Sequence, residues 1–424
     1  MKILWVKSDF LHPTTKGGQI RTLEILKRLH RRHEIHYVAF DDPGQPEGPR
    51  RSVEYCTRAY PIRHDVPRKD SAAFLLQLAA GLFSPVPVAV GRYRSVAMQR
   101  QIEALLSGTP FDRLVCDFLV PTTNIPRLGD WVLFQHNVET AIWERHMQNA
   151  RDPIRALYLR LQARRMREHE RRACRQAGEI IAVSRADAEL MRAMFGVTRV
   201  SVVPTGVDIE RFAPASGASR VADLVFVGSM DWLPNVDGVS WFVRDVLPLI
   251  ERRRPGCTVA IVGRDPTRAV AGLAADRPRV RVTGTVDDVR PYLWGSTVSI
   301  VPLRIGGGTR LKIYEAMAAG VPVVSTAVGA EGLDVSAPEN IRLADTPEEF
   351  ASACLELLER ADVRSRQVRG GLELVRSRCS WDAVAAAFEG VLEPHAGPVT
   401  DQDPGRVGAM RRLGQDDIGA ACRP

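Results

Sequence analysis

The sequence predicts an α/β protein of two Rossmann-like, doubly wound domains that face each other across a cleft. Three observations carry this. The chain has 424 residues, too many for one ordinary core. Apolar strand-like runs separated by helix-length gaps form two successive sets of six. A stretch of Pro, Ser, Gly and Ala lies between the sets.

In the first set the runs are KILWV (2–6), IHYVAF (35–40), DRLVCDF (112–118), DWVLFQH (130–136), EIIAVS (179–184) and VSVVP (200–204). In the second they are DLVFVG (223–228), CTVAIVG (257–263), VRVTG (280–284), STVSIVP (296–302), VPVVST (321–326) and NIRL (340–343). Runs apolar throughout read as parallel strands covered on both faces. The predicted domains are 1–210 and 222–380, with a linker at 211–221. WDAVAAAFEGVLEP (381–394) reads as a final helix returning to the N-terminal domain. From His395 to Pro424 periodicity ends, and a disordered tail is expected.

Hydrophobic residues at 45% and charged residues at 25% are the balance of a soluble globular chain, and no apolar run of membrane-spanning length appears. The opening MKILWVKSDF holds an apolar stretch too short for a secretion signal. The seven cysteines are scattered and never form a CxxC pair, which argues for reduced thiols, no zinc site and a cytoplasmic setting. Through residue 210 there are 32 Lys and Arg against 23 Asp and Glu; thereafter there are 26 against 27, so the excess charge lies in the first half. Its densest part is the predicted helix 153–176, with Arg155, Arg160, Arg164, Arg165, Arg167, Arg171, Arg172 and Arg175. That helix suits anionic headgroups at the inner face of a membrane, or is simply a solvated face. With few aromatics and no recognised module, it does not point to nucleic acid.

Ligands in open α/β sheets sit beyond the carboxyl ends of strands, where loops lead into helices. The richest such place is IGGGTRLKIYEAMAAGVPVVS (305–325). Gly306, Gly307 and Gly308 let backbone N–H groups approach a phosphate, and Arg310 and Lys312 add cations. Glu315 falls two turns on, placed to take a ribose diol. The competing reading is a glycine-rich turn before a surface helix.

This stretch closely resembles the donor-site signature of the retaining family-4 glycosyltransferases with the GT-B fold, in the GGGTRLK…EAMA form of an exopolysaccharide-type subgroup. That family carries two Glu eight positions apart before Ala-Met-Ala-x-Gly-x-Pro-Val-Val. Glu315-Ala316-Met317-Ala318, Gly320 and Pro322-Val323-Val324 match the second half, whereas the first Glu falls at Gly307 and is absent. The resemblance spans roughly residues 1–393. It implies that Gly308, Thr309, Arg310, Leu311 and Lys312 hold the diphosphate and Glu315 the ribose. Gly228 and Ser229 would approach the phosphates, and Gly284, Thr285 and Val286 the base through main-chain groups. In the N-terminal half it implies that Gly17 and Gly18 form a glycine loop, that His136 lies beside the donor sugar, and that Asn137 and Glu139 shape the acceptor side of the cleft.

The implied chemistry is transfer of a hexosyl group from a nucleotide sugar to a saccharide, lipid-linked or small-molecule acceptor, with retention, in polysaccharide or glycoconjugate assembly. Catalysis rests on cations and amide donors aimed at the departing diphosphate, with Arg310, Lys312, Glu315 and His136 as the residues involved. No DxD motif closes a strand, so no metal or other cofactor is expected. Two alternatives remain: a nucleotide-sugar epimerase of the same fold, and a non-catalytic nucleotide-sugar-binding relative, the latter motivated by Gly307. A dinucleotide dehydrogenase fits poorly because Gly17-Gly18 is not GxGxxG.

Overall fold

The computed structural model describes residues 1–14, 16–64, 78–79, 81, 83–148, 152–215, 217–275, 277–305 and 311–393. Gly306, Gly307, Gly308, Thr309 and Arg310 therefore lie outside the described residues, as does the expected tail from His395.

The N-terminal sheet contains β1 (Lys2–Val6), β2 (Glu34–Asp41), β3 (Arg58–Arg63), β4 (Arg113–Asp117), β5 (Trp131–Gln135), β6 (Glu179–Ala182) and β7 (Val200–Val202). Their order is β3-β2-β1-β4-β5-β6-β7, and every pairing is parallel. The C-terminal sheet contains β8 (Ala222–Val227), β9 (Val259–Val262), β10 (Val280–Val282), β11 (Ser296–Val301), β12 (Val323–Ser325) and β13 (Arg342–Leu343). It is also parallel, in the order β10-β9-β8-β11-β12-β13. In both sheets the order reverses beside the first strand, and such reversals open a crevice at the carboxyl ends.

The sequence predicts six strands in the first half, and the described residues form seven. The extra one, β3, carries Pro61 opposite Ala39. Proline cannot donate to a ladder, which hides the strand in a sequence scan and suits it to the sheet edge it occupies.

Alternation along β1 shows how the N-terminal sheet is covered. Leu4 and Val6 enter one apolar layer, with Met98, Ile102 and Met191. Ile3 and Trp5 enter the other, with helix α1 (Gly17–Leu29) and a helix from the far end of the chain. The six described cysteines are buried and unpaired.

Four further helices position the site: α2 (Glu139–Gln148), α3 (Pro153–Gln176), α4 (Arg185–Phe195) and α5 (Leu311–Ala318). Two more close the chain, α6 (Ala361–Arg378) and α7 (Trp381–Leu392). α7 buries Trp381, Val384, Phe388 and Leu392, one stripe at helical spacing, against the N-terminal layer. The Phe388 ring lies 5.4 Å from Trp5 and 5.0 Å from Phe134. Each such burial is worth about 1.5–3 kcal/mol. Asp382 meets Arg28 at 2.6 Å and Glu389 meets His33 at 2.8 Å, which fixes the helix along α1.

The chain passes between the sheets twice, and the two passages run side by side. The Val207 N–H donates to the Cys379 carbonyl at 2.7 Å, and Val207 bridges Ser380. A methyl group on Gly206 would stand 2.3 Å from the Trp381 ring, so only glycine admits the crossing there.

Candidate active site

On the C-terminal side, β8, β9 and β10 are neighbours, and each runs into a glycine at its carboxyl end: Gly228, Gly263 and Gly284. The reason at Gly228 is close packing. A Cβ there would lie 2.7 Å from Lys312 Nζ and 2.8 Å from Asn235 Nδ2. Lys312, at the start of α5, donates to Asn235 Oδ1 at 3.0 Å and stands 4.2 Å above the Phe226 ring. The ammonium is thus pinned over the end of β8. Leu311 opens α5 and is half-buried. Glu315 lies one turn beyond Lys312, half-buried; burial raises its carboxyl pKa, while Lys312 and Arg211 pull it back.

Ser229 is organised by its neighbours. Its hydroxyl donates to Asp231 at 2.6 Å and accepts from Arg264 Nε at 2.9 Å, while its carbonyl accepts from Asn235 at 2.7 Å. Arg264, which follows Gly263, brings a cation to a loop where the sequence reading found only Asp231, Trp232 and Asn235. Gly284 takes φ +71°. Thr285 is exposed, and Val286 packs on the domain core, so it faces a ligand only through its backbone.

On the N-terminal side the structure brings together residues that the sequence reading had left separate. Asp117, at the end of β4, is fully buried. Its Oδ1 accepts from Lys7 Nζ at 2.9 Å and His136 Nε2 at 2.7 Å; its Oδ2 accepts from Trp5 Nε1 at 3.0 Å and Thr22 Oγ1 at 2.7 Å. Burial alone would raise this carboxyl, but Lys7, His136 and the hydrogen bonds outweigh it and hold the pKa well below the usual range.

His136 is 2% exposed, and both ring nitrogens are engaged. Arg21 donates to Nδ1 at 2.9 Å. A guanidinium only donates, so Nδ1 must accept and Nε2 must carry the proton given to Asp117. Burial lowers the His136 pKa to about 3, against the opposing pull of Asp117. The ring is therefore neutral near pH 7 and is held as a fixed wall. It stacks on Phe118 at 3.8 Å and 14°, and Phe118 takes φ +77°, a position rare for a non-glycine residue. Arg21 also donates to the Thr205 hydroxyl, in the first passage between the sheets.

Gly17 and Gly18, expected to form a loop, instead open α1, whose helix starts at Gly17 behind the Lys16 cap, and Gly18 joins this cluster. Gly18 lies so close to Phe118 that a Cβ would stand 2.9 Å from its ring, whereas Gly17 has open space. Asn137 and His136 line a cleft of about 280 Å³ with Asp187 and Arg145; Glu331 and Gly332 close it from the C-terminal side. Glu139 starts α2. The Glu139 and Thr140 N–H groups donate to the buried Glu170 of α3, at 3.0 and 2.7 Å. Burial raises Glu170 to about 7 and also raises Glu139, the latter opposed by a hydrogen bond to Asn137.

Sequence reasoning missed Lys7, Arg21, Asp117, Phe118, Glu170, Thr205 and Arg264. The one signal was a charged residue closing an apolar strand, as in WVK and VCD. Their convergence depends on strand order.

Two parallel α/β sheets, each with its loops and glycines at the carboxyl ends and a cleft between, define the two-lobed GT-B class. Residues 15–211 match the family described as Glycosyltransferase Family 4, and residues 222–360 match Glycosyl transferases group 1. Both halves of the chain therefore match glycosyltransferase families, on the GT-B fold. A D-inositol 3-phosphate glycosyltransferase of Salinispora tropica is 31% identical over 238 residues, covering 49% of this chain and 46% of that protein. The chain spans about half the length of the curated relatives it matches. Among solved structures, a sucrose-phosphate synthase from Thermosynechococcus elongatus superposes with TM-score 0.65 at 16% identity, covering 92% of this chain and 98% of its own. The Anabaena protein HepE in complex with UDP superposes with TM-score 0.62 at 14% identity, covering 92% and 99%.

Proposed function

We propose that this protein transfers a hexosyl group from a nucleoside diphosphate sugar, held by residues 222–380, to a saccharide or lipid-linked acceptor held by residues 1–210, in polysaccharide or glycoconjugate assembly. The observation that carries this reading is Lys312 pinned over Gly228 among three glycine-ended strands, with Glu315 one turn further along α5.

In the proposed step the bond from the anomeric carbon to the β-phosphate oxygen breaks, and the acceptor oxygen bonds that carbon on the same face. The acceptor proton passes to the departing phosphate oxygen. Negative charge grows on the diphosphate, so the useful contribution is a positive field fixed beforehand. Lys312, Arg264 and the 306–310 segment with Arg310 supply it, and Glu315 holds the ribose. His136 takes no proton in this scheme: its ring is neutral with both nitrogens engaged, and it walls the cleft beside the sugar. No divalent metal takes part.

Membrane contact at the cytoplasmic face is part of the proposal. Phe83 is 91% exposed and Leu157 68% exposed, beside the exposed Arg160 and Arg164 of α3, and Arg165 of that helix donates to the Gly81 carbonyl. Exposed apolar side chains on and near a basic helix fit an anionic lipid surface. Among the described residues no helix is long and apolar enough to cross a membrane.

The test is calorimetry with UDP, GDP, dTDP and ADP sugars, with and without EDTA, on the wild type, Lys312→Ala and Glu315→Ala. One nucleotide class should bind, indifferent to EDTA, with each substitution weakening it tenfold or more. If no nucleotide binds, or both substitutions leave binding unchanged, the donor-site assignment is wrong.

A further inference from the structure

A second cavity of about 480 Å³ lies wholly on the N-terminal side, over the carboxyl ends of β1, β2 and β3. Its composition differs from that of the donor side. One wall is aromatic: the Phe40 ring stacks on His64 at 4.5 Å and on Tyr93 at 6.1 Å, both at 29°. Among the described residues, the opposite character comes from the carboxylates Asp9, Asp41 and Asp42, facing the ammonium of Lys16.

These carboxylates keep hydrogen-bonding capacity. Asp9 accepts from Gln19 Nε2 at 2.9 Å, and Asp42 accepts from the Gly44 N–H at 2.9 Å. A carboxylate offers about four acceptor positions, so one bond leaves most of them open. His12 adds a buried polar group to the same cavity. It is 4% exposed; its Nδ1 meets the Thr14 hydroxyl at 3.2 Å and its Nε2 stands 3.3 Å from the Glu54 carboxylate.

An aromatic wall facing several acceptors is the chemistry of a sugar ring, whose C–H face is apolar and whose edge is a row of hydroxyl donors. The charge balance sets the class more narrowly. Among the described lining residues a phosphate or carboxylate would meet the like charges of Asp9, Asp41 and Asp42 against the Lys16 ammonium, whereas an ammonium or hydroxyl meets acceptors and π-faces. The start of α1 links the cavity wall to the His136 cluster. Lys16 and Gln19 on its wall bracket Gly17 and Gly18, and Gly18 lies against Phe118 and His136.

We propose that this cavity seats the terminal pyranose of the acceptor, and that this sugar is uncharged or amine-bearing, not phosphorylated or carboxylated. The proposal rests on the glycosyltransferase reading above. The test reads sugar binding directly, by saturation-transfer NMR on the full chain without donor. Its probes are methyl glucoside, its 2-amino derivative, its 6-phosphate and its uronate, with wild type beside Asp41→Asn/Asp42→Asn. The neutral and amino glycosides should bind at least tenfold more tightly than the two anions, and the double substitution should weaken them fivefold or more. Equal or tighter binding of the anions, or affinities unchanged in the variant, overturns the proposal. Nucleotide-sugar calorimetry on both proteins separates the two readings: absent donor binding refutes the transferase assignment, while the NMR preference still decides the cavity. Unchanged donor binding in the variant excludes misfolding as the cause of a lost sugar signal.

Discussion

Asp117→Asn removes one charge from the centre of the N-terminal cluster, and its cost follows from the contacts. The native carboxylate accepts four hydrogen bonds, two on each oxygen, from Lys7, His136, Trp5 and Thr22. Asparagine keeps one acceptor oxygen and turns an NH₂ toward one pair of donors. Lys7, 1% exposed, is left without its counter-charge. Removing one partner of a buried ion pair costs about 3–5 kcal/mol. At roughly 2–4 °C per kcal/mol for a cooperative unit of this size, the melting temperature should fall on the order of 10 °C at pH 7. The pH dependence is fixed by sign. The folded pKa of Asp117 lies below its unfolded value, so its contribution is full above the ordinary carboxylate pKa of about 4 and is lost as pH falls through the folded value. The gap between wild type and variant should therefore be flat from pH 7 to pH 5 and narrow below pH 4. Scanning calorimetry at several pH values measures it. A melting temperature within about 2 °C of wild type at pH 7, or a gap widening toward pH 3, refutes the argument that this carboxylate holds the cluster together.

Two further substitutions separate binding from stability. Gly228→Ala presses on the far ends of Lys312 and Asn235, which can swing away, so stability should change by less than about 1 kcal/mol while nucleotide-sugar affinity drops tenfold or more in calorimetry. Unchanged affinity would show that the position of Lys312 over β8 is immaterial. Glu170→Gln tests the carboxyl raised by burial to about 7. The folded state holds that proton more tightly than the unfolded one, so the wild type loses stability as pH rises from about 4.5 to 7, by up to about 1.4 kcal/mol per unit. Urea titrations should show this component missing in Glu170→Gln; parallel pH curves for the two proteins would mean that Glu170 is ionised throughout.

Whether a feature was legible in the sequence depended on whether its parts were contiguous. Lys312 and Glu315 lie on one helix that the sequence announces, and Gly228 and Gly284 sit where apolar runs stop. The Asp117 cluster draws on positions 5, 7, 21, 22, 117 and 136, and only the sheet order that sets β1 beside β4 and β4 beside β5 unites them. A lone Lys after an apolar run says nothing about burial until its partner strand is known. Arg264 was hidden for the same reason, since it serves Ser229 from the adjacent strand. The edge strand β3 was hidden by Pro61, which argues locally against a strand, while pairing with β2 decided for one.

The cluster also bears on how the two lobes move. His136 faces the cleft, Arg21 holds its Nδ1, and the same guanidinium holds Thr205 in the first passage between the sheets. That passage is bonded to the second one through Val207 and Cys379, and Trp381 packs over Gly206. The N-terminal wall of the cleft is thus continuous with both passages through buried contacts, each costly to break. Across the mouth, by contrast, Arg145 meets Glu331 at 3.7 Å, with the two side chains 43% and 49% exposed. An exposed pair of this kind contributes about 0–1 kcal/mol. A change in cleft width therefore costs little at this exposed pair, while buried bonds join His136, Arg21 and Thr205. Closure of the C-terminal lobe would bring the Lys312 site to a wall whose geometry is already set.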